Sequence, residues 1–236
     1  MYLFYSPIVN QGPNLLNEQE SWHCTKVLRL TEGGIIHLTD GHGNLFECSI
    51  LVADPKKCVV NVISVKTEYL KRTNFLHIGI APTKSMDRFE WFLEKATEIG
   101  IDEITPIFCS HSERIRIKTE RLEKILISAM KQSLKAYLPK LNEPIDLKKL
   151  LSKDFRGQKF IGYCEFNEVA ELQKVYKSGS DALILIGPEG DFSSEEVAHA
   201  KKEEFIPISL GKSRLRTETA GVVACHTILL MNSLES

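Results

Sequence analysis

Leu185–Ser194 reads LIGPEGDFSS and Leu210–Ala220 reads LGKSRLRTETA. Each stretch follows an apolar run short enough to be a buried strand, Ala182–Ile186 and Ile206–Leu210, and each leads into a helical pattern. Two strand-to-helix loops are therefore predicted, both containing glycine. Backbone amides at Gly187 and Gly190 can approach a ligand closely, and Pro188 fixes its own φ and stiffens the turn. The second loop puts Gly211 at the strand end, then Lys212, Arg214 and Arg216, then Thr217 as N-cap of an apolar helix, Val222–Leu230. Positive charge thus gathers at the mouth of a predicted cleft. Taken singly, either loop is as readily a structural turn as a binding loop.

Working outward, strands are predicted near Phe75–Ala81, Glu103–Phe108 and Lys159–Cys164 as well, with helices between and after. That alternation argues for an α/β domain with a mostly parallel sheet. In Ser85–Ile99 the apolar positions Met86, Phe89, Phe92, Leu93, Ala96 and Ile99 share one side, which should pack on the sheet, and Gly100 is placed to cap the end. A second helix, Thr119–Leu138, turns Leu122, Ile125, Leu126, Ala129, Ser133 and Tyr137 inward and is ended by Pro139. Ser193 to Glu196 reads as a capping box for the helix after GPEG, with Val197 and Ala200 inward.

The opposite face of the second helix carries Arg121, Lys124, Lys131 and Lys135, preceded by Arg114, Arg116 and Lys118. Such a stripe could follow a phosphate backbone. It is equally an ordinary solvated face, because Glu120 and Glu123 dilute it.

Before the polar linker Lys66–Asn74 the chain reads as a small β-rich unit. Strands are expected at Leu3–Tyr5, Ile35–Thr39, Leu45–Val52 and Lys57–Val65, with Asp40–Asn44 as a hairpin loop. Glu18–Leu30 is expected to be a short helix with Trp22, Val27 and Leu30 inward. Net charge is −1, from 30 basic and 31 acidic residues among 236, so any RNA site must come from local clustering. The six cysteines show no CxxC pair and no zinc-finger spacing, which suggests neither a metal site nor a disulfide framework. The start lacks a signal-peptide pattern and no apolar run approaches membrane-spanning length, so a cytoplasmic chain without a membrane partner is expected. No GK[ST] follows the glycines and no GxGxxG is present, which disfavours nucleotide-phosphate and dinucleotide sites.

The two loops, in this order and with these residues, resemble those of the SPOUT methyltransferases, and within them the RsmE type that methylates N3 of a uridine in small-subunit ribosomal RNA. The resemblance extends to Lys84, to Glu94–Gly100 with Pro106, to Glu113 and Arg114, to Gln132, Ser133 and Pro139, and to His23, Val27, Leu28 and Arg29. It departs from the family pattern at Asp191, where glycine usually follows GPEG, at Ser213 and Lys135, where arginine is usual, and near Leu3, where a basic residue is frequent.

The resemblance implies a SPOUT domain over 75–236, with the C-terminal segment threaded as a trefoil knot, and a PUA-like RNA-binding β-barrel over 1–70. It implies S-adenosylmethionine held by Ile186, Gly187 and Gly190 from the first loop and Leu210, Gly211 and Leu215 from the second, with Tyr163 and Cys164 at the preceding strand end. It tips the basic helix face, Arg121, Lys124, Lys131 and Lys135, towards RNA, and adds Lys84 and Arg29 as RNA contacts. The implied substrate is small-subunit ribosomal RNA or the assembled small subunit, and the implied assembly is a homodimer.

Methyl transfer to N3 of uridine requires loss of the N3 proton, and the charge left behind spreads onto two flanking carbonyl oxygens. A cation aimed at those oxygens would stabilise it. Arg216 is the first candidate and Arg214 the second, each otherwise a solvated or phosphate-binding arginine. Glu218 could be a general base or could orient Arg216, or simply a favourable dipole partner in the first turn of a helix. Two other functions stay open: a SPOUT methyltransferase for another RNA, and a non-catalytic RNA-binding or ribosome-assembly protein.

Overall fold

The computed structural model describes residues 1–163 and 169–234. The chain divides into two compact units, Met1–Lys71 with Ile127–Leu138, and Arg72–Leu126 with Pro139–Ser236.

The first unit is a five-stranded sheet in the order β1 (Leu3–Tyr5), β3 (Ile35–Thr39), β4 (Leu45–Val52), β5 (Val59–Lys66) and β2 (Pro13–Leu15). β1 runs parallel to β3 and the other pairs are antiparallel. Alternate residues turn inward, so Phe4, Ile36, Leu38, Cys48, Ile50 and Val60 form one core with Leu16, Cys24 and Cys58. β2 escapes a reading by alternation because it is short and begins with proline. It lies at the sheet edge, where a residue without an N–H is tolerated. The hairpin loop is closed by Asp40, whose carboxylate accepts from the His42 amide at 2.8 Å and the Asn44 side chain at 2.6 Å.

The expected helix Glu18–Leu30 is corrected. Helix α1 covers Glu18–Trp22, capped by Asn17, and gives way to a π-helical turn over His23–Val27. The Leu28 amide reaches the His23 carbonyl at 2.9 Å, and the wider turn rotates the inward face away from an α-helical one. Ser21 and Cys24 point in, while Trp22 and Val27, expected inside, stay 55% and 49% exposed.

The second unit contains a parallel sheet in the order β12 (Ile206–Ile208), β10 (Gln158–Gly162), β11 (Ala182–Ile186), β6 (Leu76–Ile80), β7 (Glu103–Phe108), β8 (Lys140–Leu141), with β9 (Ile145–Asp146) also on β7. Its pairs are parallel, as the alternation of strands and helices requires. Helices α4 (Leu147–Leu151) and α6 (Ser194–Lys202) cover one face, and Leu147, Leu150, Leu151, Val197 and Ala200 meet Leu183 and Leu185 of β11 there. The capping box of α6 forms as expected.

Helix α7 (Thr217–Leu234) lies on β6 and β11, and α2 (Met86–Ile99) packs against α7. The apolar side of α2 therefore finds its main partner in a helix rather than in the sheet. Gly221 makes this layering possible. A Cβ there would stand 2.6 Å from Cε2 of Phe92 on α2 and 2.9 Å from Cδ1 of Ile80 on β6. The short helix α5 (Leu172–Val175) follows Glu171.

Helix α3 (Thr119–Gln132) ends well before Pro139, which corrects the expected run to Leu138. Leu134 adopts φ +57°, and the Lys135 amide turns back to the Met130 carbonyl at 3.0 Å. The residues beyond bond inside the first unit instead. The Ala136 carbonyl accepts from the Thr39 hydroxyl at 3.0 Å and the Gly43 amide at 2.9 Å, and the Leu138 amide donates to Gly41.

Two outcomes follow from the packing. Gly221→Ala gains about 1 kcal/mol of helix propensity but forces a methyl into the fully buried Phe92 ring, an overpacking cost of about 1–3 kcal/mol. The clash dominates, and the variant should melt a few degrees below wild type in calorimetry; an equal or higher melting temperature would refute the close-contact argument. The second outcome concerns His77 on β6. Burial holds its pKa down to about 4 from 6.5, against the pull of Glu103, with Nε2 2.7 Å from the Thr105 hydroxyl. The unfolded chain takes up this proton first as pH falls, so the stabilisation is complete above pH 6.5 and is lost towards pH 4. Denaturant unfolding at pH 7.5 and pH 4.5 should show wild type losing on the order of 2–3 kcal/mol more than His77→Asn.

Candidate functional site

The carboxyl ends of β11 and β12 place the two glycine loops in the second unit. At the end of β11, Ile186 is buried and its carbonyl accepts from the Ala81 amide at 2.9 Å. Gly187 follows, and its carbonyl accepts the Thr217 hydroxyl at 3.0 Å. Thr217 was expected to cap α7. It is instead the first helical residue, the Arg216 carbonyl accepts the early helix bond from the Ala220 amide at 2.8 Å, and the hydroxyl of Thr217 is spent on the other loop. One side chain thereby joins the start of α7 to the GPEG loop.

The GPEG loop is held by three further contacts, each across to another loop. The Glu189 carboxylate accepts the Lys84 amide at 2.9 Å. Nδ1 of His111 lies 3.0 Å from both the Gly190 and the Asp191 carbonyl oxygens, so it carries a proton and donates to them. Glu196 uses one oxygen for its capping box, on the Ser193 amide at 2.8 Å, and the other for the Ser110 amide at 2.8 Å. Glu189, His111 and the second role of Glu196 are residues the sequence reading missed. Their partners lie far away in the chain, and no spacing announces them.

Asp191 takes φ +60°, and its carboxylate accepts its neighbour Phe192's amide at 2.8 Å. This explains how aspartate stands where glycine is usual in the resembled pattern, since a short local hydrogen bond makes the left-handed region accessible.

The second loop borders a cleft of about 150 Å³ lined by Glu171, Leu172, Gln173, Ser209, Leu210, Gly211, Val223 and Thr227. Gly211 has φ +117°, and nothing lies within 4 Å of where its Cβ would be. Its amide donates to the Ser209 hydroxyl at 3.2 Å, and its carbonyl accepts that hydroxyl's proton at 3.0 Å. Leu210 and Gly211 therefore share one cleft, and Leu215 is half-buried further along the loop. Tyr163 is buried directly after β10 and donates its amide to the Ile208 carbonyl at 3.2 Å. Cys164 lies outside the described residues.

The charged candidates separate into two groups. Arg214 and Arg216 are exposed and make no side-chain bond to any described residue. Glu218 is buried in the first turn of α7 and faces Arg88, Nε to Oε1 3.9 Å, and forms no ion pair with Arg216. Lys84 pairs with Glu113 at 2.9 Å, which holds its ammonium above the ordinary lysine range, while its carbonyl accepts from Arg114 at 2.7 Å. Arg121 is tied to Glu90 at 2.6 Å, and Lys124 is exposed. In the first unit, Lys131 is tied to the buried Glu20 at 2.5 Å, Lys135 is half-buried, and Arg29 is exposed with φ +54°. Among the described residues, no group of three or more His, Cys, Asp or Glu is placed to hold a metal ion.

Residues 71–229 match the model of the RNA methyltransferase domain, and residues 16–63 match that of the RNA methyltransferase PUA domain. A crystal structure of a probable rRNA-methyltransferase from Porphyromonas gingivalis is 44% identical, covers all of both chains and superposes with a TM-score of 0.94. The ribosomal RNA small subunit methyltransferase E of Neisseria gonorrhoeae, in a structure bound to S-adenosyl methionine, is 26% identical over 99% of this chain and 98% of that one, TM-score 0.86. The protein of the same name from Aquifex aeolicus is 27% identical over 98% of this chain and 99% of its own length. A PUA domain followed by the RNA methyltransferase domain, along nearly the whole of such relatives, leaves one assignment: the chain belongs to the RNA methyltransferase family, in its ribosomal RNA small subunit methyltransferase E type.

Proposed function

We propose that this chain uses S-adenosylmethionine to methylate N3 of a uridine in small-subunit ribosomal RNA. The observation that carries the reading is the hydrogen bond from Thr217 to Gly187, which locks two glycine loops together beside two arginines without partners among the described residues. The names of the full-length relatives, one with the cofactor bound, support the same activity.

The residues fit the cofactor. A cleft of about 150 Å³ is of the size that accepts one flat aromatic ring. Leu172, Leu210 and Val223 offer it apolar walls, and Ser209, Gln173 and Thr227 offer polar groups for orientation. The bare backbone at Gly211 leaves open space beside the loop, and on this reading Ile186, Gly187, Gly190 and Leu215 would hold the rest of the molecule. When bound, S-adenosylmethionine supplies an electrophilic methyl group on a sulfonium.

The protein's own contribution is charge and position. As N3 of the uridine gives up its proton to solvent and takes the methyl group in its place, Arg216 donates to the carbonyl oxygens that carry the charge in between, and Arg214 holds the neighbouring phosphate or shares that role. Glu218 acts through position: buried against Arg88 at the positive end of α7, it steadies the helix start that Thr217 anchors. Glu189, His111 and Glu196 fix the GPEG loop before substrate arrives, so little reorganisation remains for the reaction.

The reading also implies the trefoil knot, with the segment through Arg216 threaded so that α7 returns onto β6 and β11. It places the protein in the cytoplasm with the small subunit, docking RNA through Arg29, Lys124 and Lys135 and through whatever share of Lys84, Arg121 and Lys131 their carboxylate partners release. It implies a homodimer too, and exposed Leu230 and Leu234 on α7, with Trp91 on α2, supply apolar surface for one. No helix among the described residues is long and apolar enough to cross a membrane.

Small ribosomal subunits lacking the modification, incubated with enzyme and labelled S-adenosylmethionine, should yield 3-methyluridine on nucleoside mass spectrometry. Label on another nucleoside, or none, would overturn the substrate. Arg216→Ala should bind the methyl donor as wild type does in calorimetry while its turnover number falls on the order of 10²–10³-fold. Unchanged turnover would remove Arg216 from the mechanism.

A further inference from the structure

The cleft beside Leu210 and Gly211 holds a charged residue that neither glycine loop supplies. Among the described residues lining it, Glu171 alone carries a charge, and it enters from the chain just ahead of α5. Its backbone is tied to the second loop itself. Glu171 bridges Ser209 in parallel, with the Ser209 amide on the Ala170 carbonyl at 3.0 Å and the Leu172 amide on the Ser209 carbonyl at 2.9 Å. The main chain that carries this carboxylate is therefore fixed against the strand end from which Leu210 and Gly211 follow.

The fold makes little use of the carboxylate. Glu171 is the N-cap residue of α5, yet its side chain makes no cap bond, and aspartate, asparagine or serine would cap better. Oε2 accepts from the side-chain amide of Gln173 at 2.8 Å and pairs with Lys174 at 3.3 Å. That lysine is 67% exposed, so the pair adds little stability, and the two partners serve to orient the group. Oε1 bonds to no described residue. The neighbouring Ser209 hydroxyl is already engaged, donating to the Gly211 carbonyl and accepting from its amide.

Depth decides what Oε1 meets. Leu172 is 1% exposed and forms the wall of the cleft, whereas the Glu171 side chain is 29% exposed and stands at the rim. In adenosine the ribose hangs from the side of the base away from its amino group. A base inserted between Leu172, Leu210 and Val223 therefore leaves its ribose at the rim. The ribose offers two adjacent O–H donors there, and an ionised carboxylate only accepts.

We infer that Glu171 is a further cofactor-binding residue, its Oε1 accepting a hydrogen bond from a ribose hydroxyl of S-adenosylmethionine. The inference rests on the cofactor reading above and gives the ribose its partner. A carboxylate on a ribose hydroxyl is also how dinucleotide-binding folds hold their ligands, although the loops here are of another kind.

The test uses the full-length protein and calorimetry, with wild type measured first against S-adenosylmethionine, its demethylated product S-adenosylhomocysteine, and the 2′,3′-dideoxyribose form of that product. Wild type should bind the dideoxy ligand roughly 10- to 50-fold more weakly than S-adenosylhomocysteine. Glu171→Ala should lose a similar factor on S-adenosylhomocysteine and then bind the two ligands equally, because the partner of the missing hydroxyls is gone. Its loss on S-adenosylmethionine should match, since the contact lies on the ribose and not at the sulfonium. Glu171→Asp, a better helix cap, should melt no lower than wild type and still bind S-adenosylhomocysteine less tightly. Wild-type affinity in Glu171→Ala, discrimination between the two ribose forms kept at its wild-type size, or a loss confined to S-adenosylmethionine would each overturn the inference while the cofactor reading stands. A wild type that binds none of the three ligands would take both down.

Discussion

The second unit depends on how closely helix α7 can approach the sheet. Gly221 lets it settle against Ile80 of β6 with Phe92 of α2 wedged over the contact, and that depth sets where α7 begins. Thr217 then falls within hydrogen-bond reach of the Gly187 carbonyl, so the chain leaving β12 is fastened to the chain leaving β11. A side chain at position 221 would lift the helix and move its first turn. The loop of Gly211–Arg216, which has few bonds of its own, would lose its fixed end.

Around that fastening, the loops are held by carboxylates and a histidine that reach backbone groups of distant segments. Glu189 takes the amide of Lys84, Glu196 takes that of Ser110 while capping its own helix, and His111 donates to Gly190 and Asp191. A hydrogen bond to a buried carboxylate such as Glu196 contributes about 1.5–3 kcal/mol, and those of Glu189 and His111, which lie at the surface, contribute less. The GPEG loop is therefore held from outside the four residues that make it recognisable.

Much of this was legible in the letters. Ala182–Ile186, Glu103–Phe108, Ile35–Thr39 and Leu45–Val52 form strands with the bounds their apolar runs suggest, and Ser193 with Glu196 caps as its spacing requires. What escaped depends on backbone choices that periodicity does not encode. The π turn at His23–Val27 moved Trp22 and Val27 outside, and the left-handed Leu134 ended α3 early because the Ala136–Leu138 backbone found partners in the β3–β4 loop. At the site, the glycines and arginines were visible, whereas Glu189, His111 and the linking role of Thr217 were not, since their partners lie 30 or more residues away.

The chain's near-neutral charge conceals how its cations are used. On α3, Arg121 is neutralised by Glu90 and Lys131 by Glu20, whose burial makes that pair a packing element of the first unit. An arginine held in such a pair must give up its carboxylate before it can take a phosphate, and the exchange returns little net energy. Arg214, Arg216, Lys26 and Arg29 carry no such debt, being exposed and without a bonded carboxylate among the described residues. A near-neutral balance, 30 basic against 31 acidic residues, therefore leaves room for local positive surface, because acids silence some cations and leave others alone.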